Sequence, residues 1–368
     1  MDKRTLGARI ALARELTGMT QEVLGRAVGL DRTAITRLEK GERKLNVSEL
    51  VAISAALDRP LAYFVEDPVQ SVVSRRRGSG VTHRTTDVMD AELQSFAADA
   101  RVLLDLGLLD AVKRSHLGTL RDHDTAERQA EKIRRAAGLG SGPVRDLLAV
   151  SEGLGMMVFI AELGSGDPDG ACVEVTSEAN TLGAAVINGA MPSGRRRMTV
   201  AHELGHWLSG DAYDTEASLE SEKLLNSFAV HFLAPRSGVI AVWDKDRTLG
   251  VRDRALVVAA EFRLSWSAAV GQLKNLGLLT NEQHRVLAEE EPRAGDYRRL
   301  RLSWQEEAAA PALSAGFAAA CVNGYVDGRL TEARTLELLR GTLSRDELPR
   351  REPVSDEILR RAFAGHDG

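Results

Sequence analysis

Two histidines four residues apart, His202 and His206, enclose Glu203-Leu204-Gly205. On an α-helix this spacing puts both imidazoles on one face, so a single metal ion can take both only if the segment is helical. Zinc held by three protein ligands keeps a fourth position for water and lowers the pKa of that water towards ~7. Glu203 directly follows the first histidine, which lets it reach the same water as a general base. Met198, Val200, Ala201, Leu204 and Leu208 supply the apolar contacts that such a helix needs against a core.

A third ligand is required, and it is not a thiolate. The two cysteines, Cys172 and Cys321, are far apart and form no CxxC pair, which also argues against structural disulfides. Residues 219–233 form a second helical pattern. Glu222 falls in register with Leu225, Asn226, Ala229, Phe232 and Leu233, so it points into the apolar seam, where a carboxylate needs a cation. Glu220 shares a more polar face with Lys223, Leu224, Ser227 and His231. The expected ligand set is His202, His206 and Glu222 around one Zn2+ per chain, with Glu220 the alternative ligand. An ion pair of Glu222 with Arg197 is the structural alternative. His231 lies about 180° from Glu222 on the helix and is not expected to bind.

The 368 residues are 43% hydrophobic and 27% charged, which excludes wholesale disorder and collagen-like repeats. The apolar runs Met156 to Ala161 and Ala255 to Ala260 fall far short of the ~20 residues that cross a bilayer. The basic start, with Arg9, Arg14 and Glu15 close behind, leaves no signal-peptide core. A cytoplasmic protein without a membrane partner is expected. The net charge of −5 argues against coating nucleic acid by bulk charge but leaves room for a local reading face. Only 8 of the 48 basic residues are lysine, so single arginines carry little weight.

Along the chain, residues 3–66 predict short helices punctuated by caps and glycines. The first ends at Gly18, Thr20 opens a second that Gly29 breaks, and Asp31 opens a third that ends at Gly41. Asn46 and Ser48 start a fourth, stopped by Pro60. Two helices joined by a glycine-containing turn are the layout of a helix-turn-helix. A polar stretch from Pro68 to about Thr86, with Arg75-Arg76-Arg77, reads as a linker. Residues 87–138 predict helices, with Leu103, Leu104, Leu108 and Leu109 on one side and a polar helix from Thr125 to Ala137. Three short β-like runs follow, 155–161, 171–175 and 182–188, then a basic turn at 195–197 and further helices. The apolar 255–279 pair predicts packing rather than a second DNA reader. The charged tail from Asp346 is expected to fray.

Two resemblances follow from these residues. Arg197-Met-Thr-Val-Ala-His-Glu-Leu-Gly-His-Trp-Leu208, followed by Glu222 and by Asn226-Ser-Phe-Ala-Val-His-Phe-Leu-Ala-Pro235, resembles the ImmA/IrrE metallopeptidases. The resemblance covers about residues 125–285 and departs from the usual pattern at Leu224, Leu225 and His231. It implies a small sheet ahead of the motif helix, His202, His206 and Glu222 as ligands, and Glu203 as general base. It also implies a cytosolic endopeptidase that cleaves helix-turn-helix repressors, releasing phage, mobile-element or stress genes. Thr20-Gln21, Gly29, Ile35, Glu39 and Gly41 resemble XRE/Cro-type domains. Their third helix enters the major groove. Here it would place Arg32, Thr33, Thr36 and Arg37 at base edges, with Gln21, Arg43 and Lys44 on phosphates. Residues 1–68 carry 11 basic and 10 acidic side chains, a weak excess for a DNA binder.

The expected fold class is mainly α with a small β-sheet. It comprises an N-terminal all-α helix-turn-helix domain (1–67), a linker (68–86), a helical connector (87–124), an α+β zincin-like metallopeptidase domain (125–285) and a helical C-terminal region (286–368). The expected partners are double-stranded DNA and a protein substrate, a repressor, with a homodimer favoured by two half-sites. Residues 182–188 could hold an extended substrate by β-addition, and Tyr213 is a candidate oxyanion stabiliser. The alternatives are a repressor whose peptidase-like domain only senses a ligand, and a repressor that cleaves itself.

Overall fold

The computed structural model describes residues 2–57, 59, 61–65, 83–164, 168–177, 180–210, 219–302 and 309–351. Arg75 to Arg77, Tyr213 and the tail beyond residue 351 therefore lie outside the described residues, and so does most of the expected linker.

The head is five helices: α1 (Lys3–Leu16), α2 (Gln21–Val28), α3 (Arg32–Glu39), α4 (Val47–Ala56) and α5 (Leu61–Val65). The first four start at Asp2, Thr20, Asp31 and Asn46, whose side chains accept hydrogen bonds from backbone N–H groups of the opening turn. Gly29 ends α2 in the left-handed region, φ 69°. Ile10, Leu24, Ile35, Leu38, Ile53, Leu57 and Phe64 fill the core of the head. Arg14 ties α1 to α3 by gripping Glu39, Nε to Oε1 at 2.6 Å.

The body contains α6 (His83–Asp105), α7 (His123–Ala136), α8 (Leu147–Gly153), β1 (Met156–Ala161), β2 (Gly170–Ser177), β3 (Asn180–Asn188), α9 (Ser193–Ser209) and α10 (Leu219–Leu233). It continues with α11 (Arg236–Trp243), α12 (Val251–Phe262), α13 (Trp266–Asn275), α14 (Asn281–Glu289), α15 (Ala294–Arg299), β4 (Ala312–Leu313), α16 (Ala315–Val326) and α17 (Glu332–Leu338). The strand order is β2-β3-β1-β4, with β1 parallel to β3 and both outer pairings antiparallel. Alternation along β1 sends Met156, Val158 and Ile160 into one core, and Met157, Phe159 and Ala161 into the other. The first core lies under α7 to α14, with Trp207 fully buried in it. The second lies under α6, α16 and α17.

Four expectations change. Leu108 and Leu109 lie beyond α6, because Gly107 turns the chain at φ 58°. Arg195 to Arg197 are not a turn but the opening turns of α9. Arg195 pairs with Asp169, Arg196 donates to the carbonyls of Gly189 and Met191, and Arg197 donates to that of Val144. The strand at 182–188 is interior, paired on both sides, so it has no edge for an added peptide; the outer strands of the sheet are β2 and β4. Finally, helices from 87–124 and 286–368 share one core with the strands: Phe96 and Leu103 of α6 meet Phe317 and Cys321 of α16 there. The 251–275 pair buries Phe262, Leu264, Val270 and Leu273, as packing requires.

Candidate metal centre

The site begins with α9. Its inner face carries Val200, Ala201, Leu204 and Trp207 against the sheet, and this fixes the rotation of the helix. Trp207 lies over Gly183 of β3, where an added Cβ would meet the ring at 2.9 Å, and its Nε1 donates to the Leu154 carbonyl at 3.0 Å. With that face fixed, His202 and His206 point the other way, towards α10. Gly205 lets α10 come close: a Cβ there would lie 3.0 Å from Leu225 and 3.1 Å from Phe228.

α10 then delivers Glu222. Its carboxylate stands 3.1 Å from His202 Nε2 and 3.4 Å from His206 Nε2, and the two Nε2 atoms are 3.1 Å apart. The two contacts use different oxygens of Glu222, Oε2 towards His202 and Oε1 towards His206, and one ligand atom from each of the three side chains lies within 4.8 Å of the other two. Two imidazole nitrogens and a carboxylate converging in this way are a donor set that suits a zinc ion. Both imidazoles are essentially buried, while Glu222 is partly open to solvent. Burial opposes the ionisation of Glu222, but the hydrogen bonds and charge of His202 and His206 outweigh it and hold the carboxyl well below the usual range. Among the described residues this trio is the group of His, Cys, Asp and Glu side chains able to hold one ion.

Residues 151–274 match the IrrE N-terminal-like domain, and residues 10–64 match the helix-turn-helix family. The chain joins a helix-turn-helix domain to an IrrE-like domain. An uncharacterized HTH-type transcriptional regulator of Sinorhizobium medicae is 40% identical over 62 residues, 17% of this chain and 45% of its own. The HTH-type regulator y4wC of Sinorhizobium fredii is 34% identical over 74 residues, 20% of this chain and 52% of its own. The chain thus spans about half the length of the curated relatives it matches. The structure of ComR from Streptococcus suis aligns over 92% of this chain and 86% of its own, at 12% identity and a TM-score of 0.17, too low to carry a likeness of fold.

Within the IrrE-like domain, Glu220 is exposed and pairs with Lys223 at 3.5 Å, away from the histidines. Arg197 is turned to Val144, so Glu222 meets imidazoles rather than that guanidinium. Glu203 is 2% exposed, and its Oε2 has no hydrogen-bond partner among the described residues. His231 faces α13, where Gln272 Nε2 donates to its Nδ1 at 3.0 Å. Burial pushes its pKa down to about 4, although Glu127 pulls the other way. Gly205 is the residue that sequence reasoning passed over; a glycine inside a helical pattern was the available signal.

In the head, Arg32, Thr33 and Arg37 are exposed on α3, and Lys44 is exposed beyond it. Gln21 is engaged on both sides, accepting from Thr36 Oγ1 at 2.9 Å and donating to Glu39 at 2.7 Å. Arg43 binds both carboxylate oxygens of Glu49, at 2.6 and 3.0 Å, beside the capping box of α4. Among the described residues no helix is long and apolar enough to cross a membrane.

Proposed function

We propose that this chain is a DNA-binding regulator whose IrrE-like domain is a zinc-dependent endopeptidase acting on a regulatory protein, such as a repressor with a head of the same type. The observation that carries the reading is the convergence of His202, His206 and Glu222, whose side chains approach one another at 3.1 to 3.4 Å. Zinc, when bound, supplies Lewis acidity and a water of lowered pKa. His202, His206 and Glu222 would hold it, and Glu203 would take a proton from the attacking water and return it to the leaving amine. An extended substrate would pair with β2, which at eight residues is the longer of the two outer strands of the sheet, the other being the two-residue β4. Double-stranded DNA would be read by Arg32, Thr33, Thr36 and Arg37. Gln21 and Lys44 would lie at the phosphates, together with Arg43 once it leaves Glu49.

Elemental analysis is the first test: about one zinc per native chain, and none in His202→Ala. Comparing new protein N-termini in cells carrying the native chain or Glu203→Gln then identifies the substrate. A metal-free native chain, even after zinc is supplied, would sink the peptidase reading. A cleavage-dead Glu203→Gln that regulates normally would leave the sensor reading in its place.

A further inference from the structure

A cleft of about 780 Å³ lies on the face of the sheet away from the histidines, between the end of α4 and the α6–β1–α17 side of the body. Its wall is apolar at Phe159, Leu163 and Leu336. Its charged lining is unequal, with the carboxylates of Glu92, Asp99, Glu162 and Glu337 against the guanidinium groups of Arg59 and Arg340. Arg340 serves Glu92 and Asp99, and Arg334, from just outside the lining, serves Asp99 and Glu337 at 2.8 Å each. Glu162, exposed at the mouth, has no ion pair among the described residues.

The remaining charge crosses between domains. Arg59 of the head reaches Glu92 of α6 at 3.2 Å, while Arg340 of the body holds the other oxygen of the same carboxylate. The body therefore offers a seat for a cation, with a guanidinium from the head in it. Withdrawal of Arg59 would leave Glu92 with one partner, beside an apolar wall and the uncompensated Glu162. A pocket at a domain interface, with an apolar wall and a few convergent polar groups, is built for a small molecule.

We propose that this cleft binds a small organic cation, an amine or guanidine on an apolar chain. The cation takes the place of Arg59 on Glu92, and occupancy loosens the head from the body. The site is separate from the metal centre and stands whether or not the IrrE-like domain cleaves protein.

Titration calorimetry of the full chain with butylguanidinium chloride tests it, with butylurea as the neutral isostere and pentanoate as the anion. Arg59→Ala removes the competitor and is expected to bind butylguanidinium on the order of tenfold more tightly than the native chain, the change expected when one ion pair no longer has to be broken. Glu162→Gln, at an exposed position that folding does not depend on, is expected to bind it several-fold more weakly. Amide exchange over residues 50–57 is expected to rise when the ligand is present. No tightening in Arg59→Ala, or equal binding of butylurea or pentanoate, would overturn the cation site. Slower exchange over 50–57 would overturn the release of the head.

Discussion

The helices α3 and α9 both carry polar side chains for a proposed function, but they present them in opposite ways. On α3, Arg32, Thr33 and Arg37 point to solvent, and the helix is held from behind by Ile35 and Leu38. On α9, thirteen of the seventeen residues are buried, His202, Glu203 and His206 among them. A surface helix needs only to be held in place, so its reading residues are independent of one another. A buried trio holds only if the groups satisfy one another, so losing one exposes the others to an unpaired, desolvated state. Removing either metal-holding histidine of α9 should therefore be all-or-none for zinc, whereas substitutions on α3 should be graded for DNA.

The largest effects belong to the trio. His202→Ala should abolish stoichiometric zinc, and Glu222→Gln should weaken zinc at least about a hundredfold, the upper end of what outer-shell changes cost. Glu220→Gln should leave zinc unchanged; competition with a fluorescent chelator measures all three. Equal losses from Glu220→Gln and Glu222→Gln would erase the distinction between the two faces of α10. Gly205→Val should separate α10 from α9 and remove zinc while circular dichroism keeps its helical signal. Glu203→Gln should keep zinc and lower cleavage about 10²–10⁴-fold.

An effect of intermediate size comes from His231, outside the trio but under the same burial. Its folded pKa is about 4, while in the unfolded chain it is near the ordinary ~6.5. The unfolded state therefore binds more protons between those values. Stability is full above pH ~6.5, declines as pH falls through the window and levels off below about 4, at a cost of roughly 3 kcal/mol. His231→Phe should flatten that part of the dependence of the urea midpoint on pH. An unchanged slope would show that burial does not hold the imidazole neutral.

The smallest effects are expected on the head. Arg32→Ala should cost about 1–3 kcal/mol of operator binding and relax sequence preference at one position. Arg43→Ala should lower the stability of the head by about 1 kcal/mol, because Glu49 loses its bidentate partner, and should also remove one phosphate contact without changing sequence preference. Gel shifts at two salt concentrations separate the roles: a lost phosphate contact reduces the salt slope, whereas destabilisation does not. A cooperative collapse of DNA binding on either substitution would break the contrast between graded and all-or-none behaviour.

Local chemistry made much of this chain legible in its sequence. Asp31 and Asn46 cap helices whatever the rest of the chain does, because the bond runs three residues along the backbone. The i, i+4 histidines share a face for an equally local reason, and the period of α10 already favours Glu222 over Glu220. Periodicity gives a direction, however, and not a partner. It could not say that Glu222 would meet both histidines rather than Arg197, since that depends on how closely Gly205 lets two helices approach.

Strand order was beyond local reasoning. The run 182–188 looks the same in sequence whether it is an edge or a centre, and pairing to β1 and β2 decided that it is a centre. The two residues of β4 pair with Phe159 and Ile160 of β1, more than 150 positions earlier, and no local pattern announces them. The second face of the sheet is likewise assembled from α6 and α16, taken from opposite ends of the body. The sequence alone determined where the capped helices of the head begin and which face of α9 and of α10 carries the metal-holding side chains, because those choices are settled within a turn or two of backbone. Only the tertiary structure decided which polar faces meet, at the metal centre and in the cleft, because that depends on contacts between segments whose separation along the chain carries no record of their distance in space.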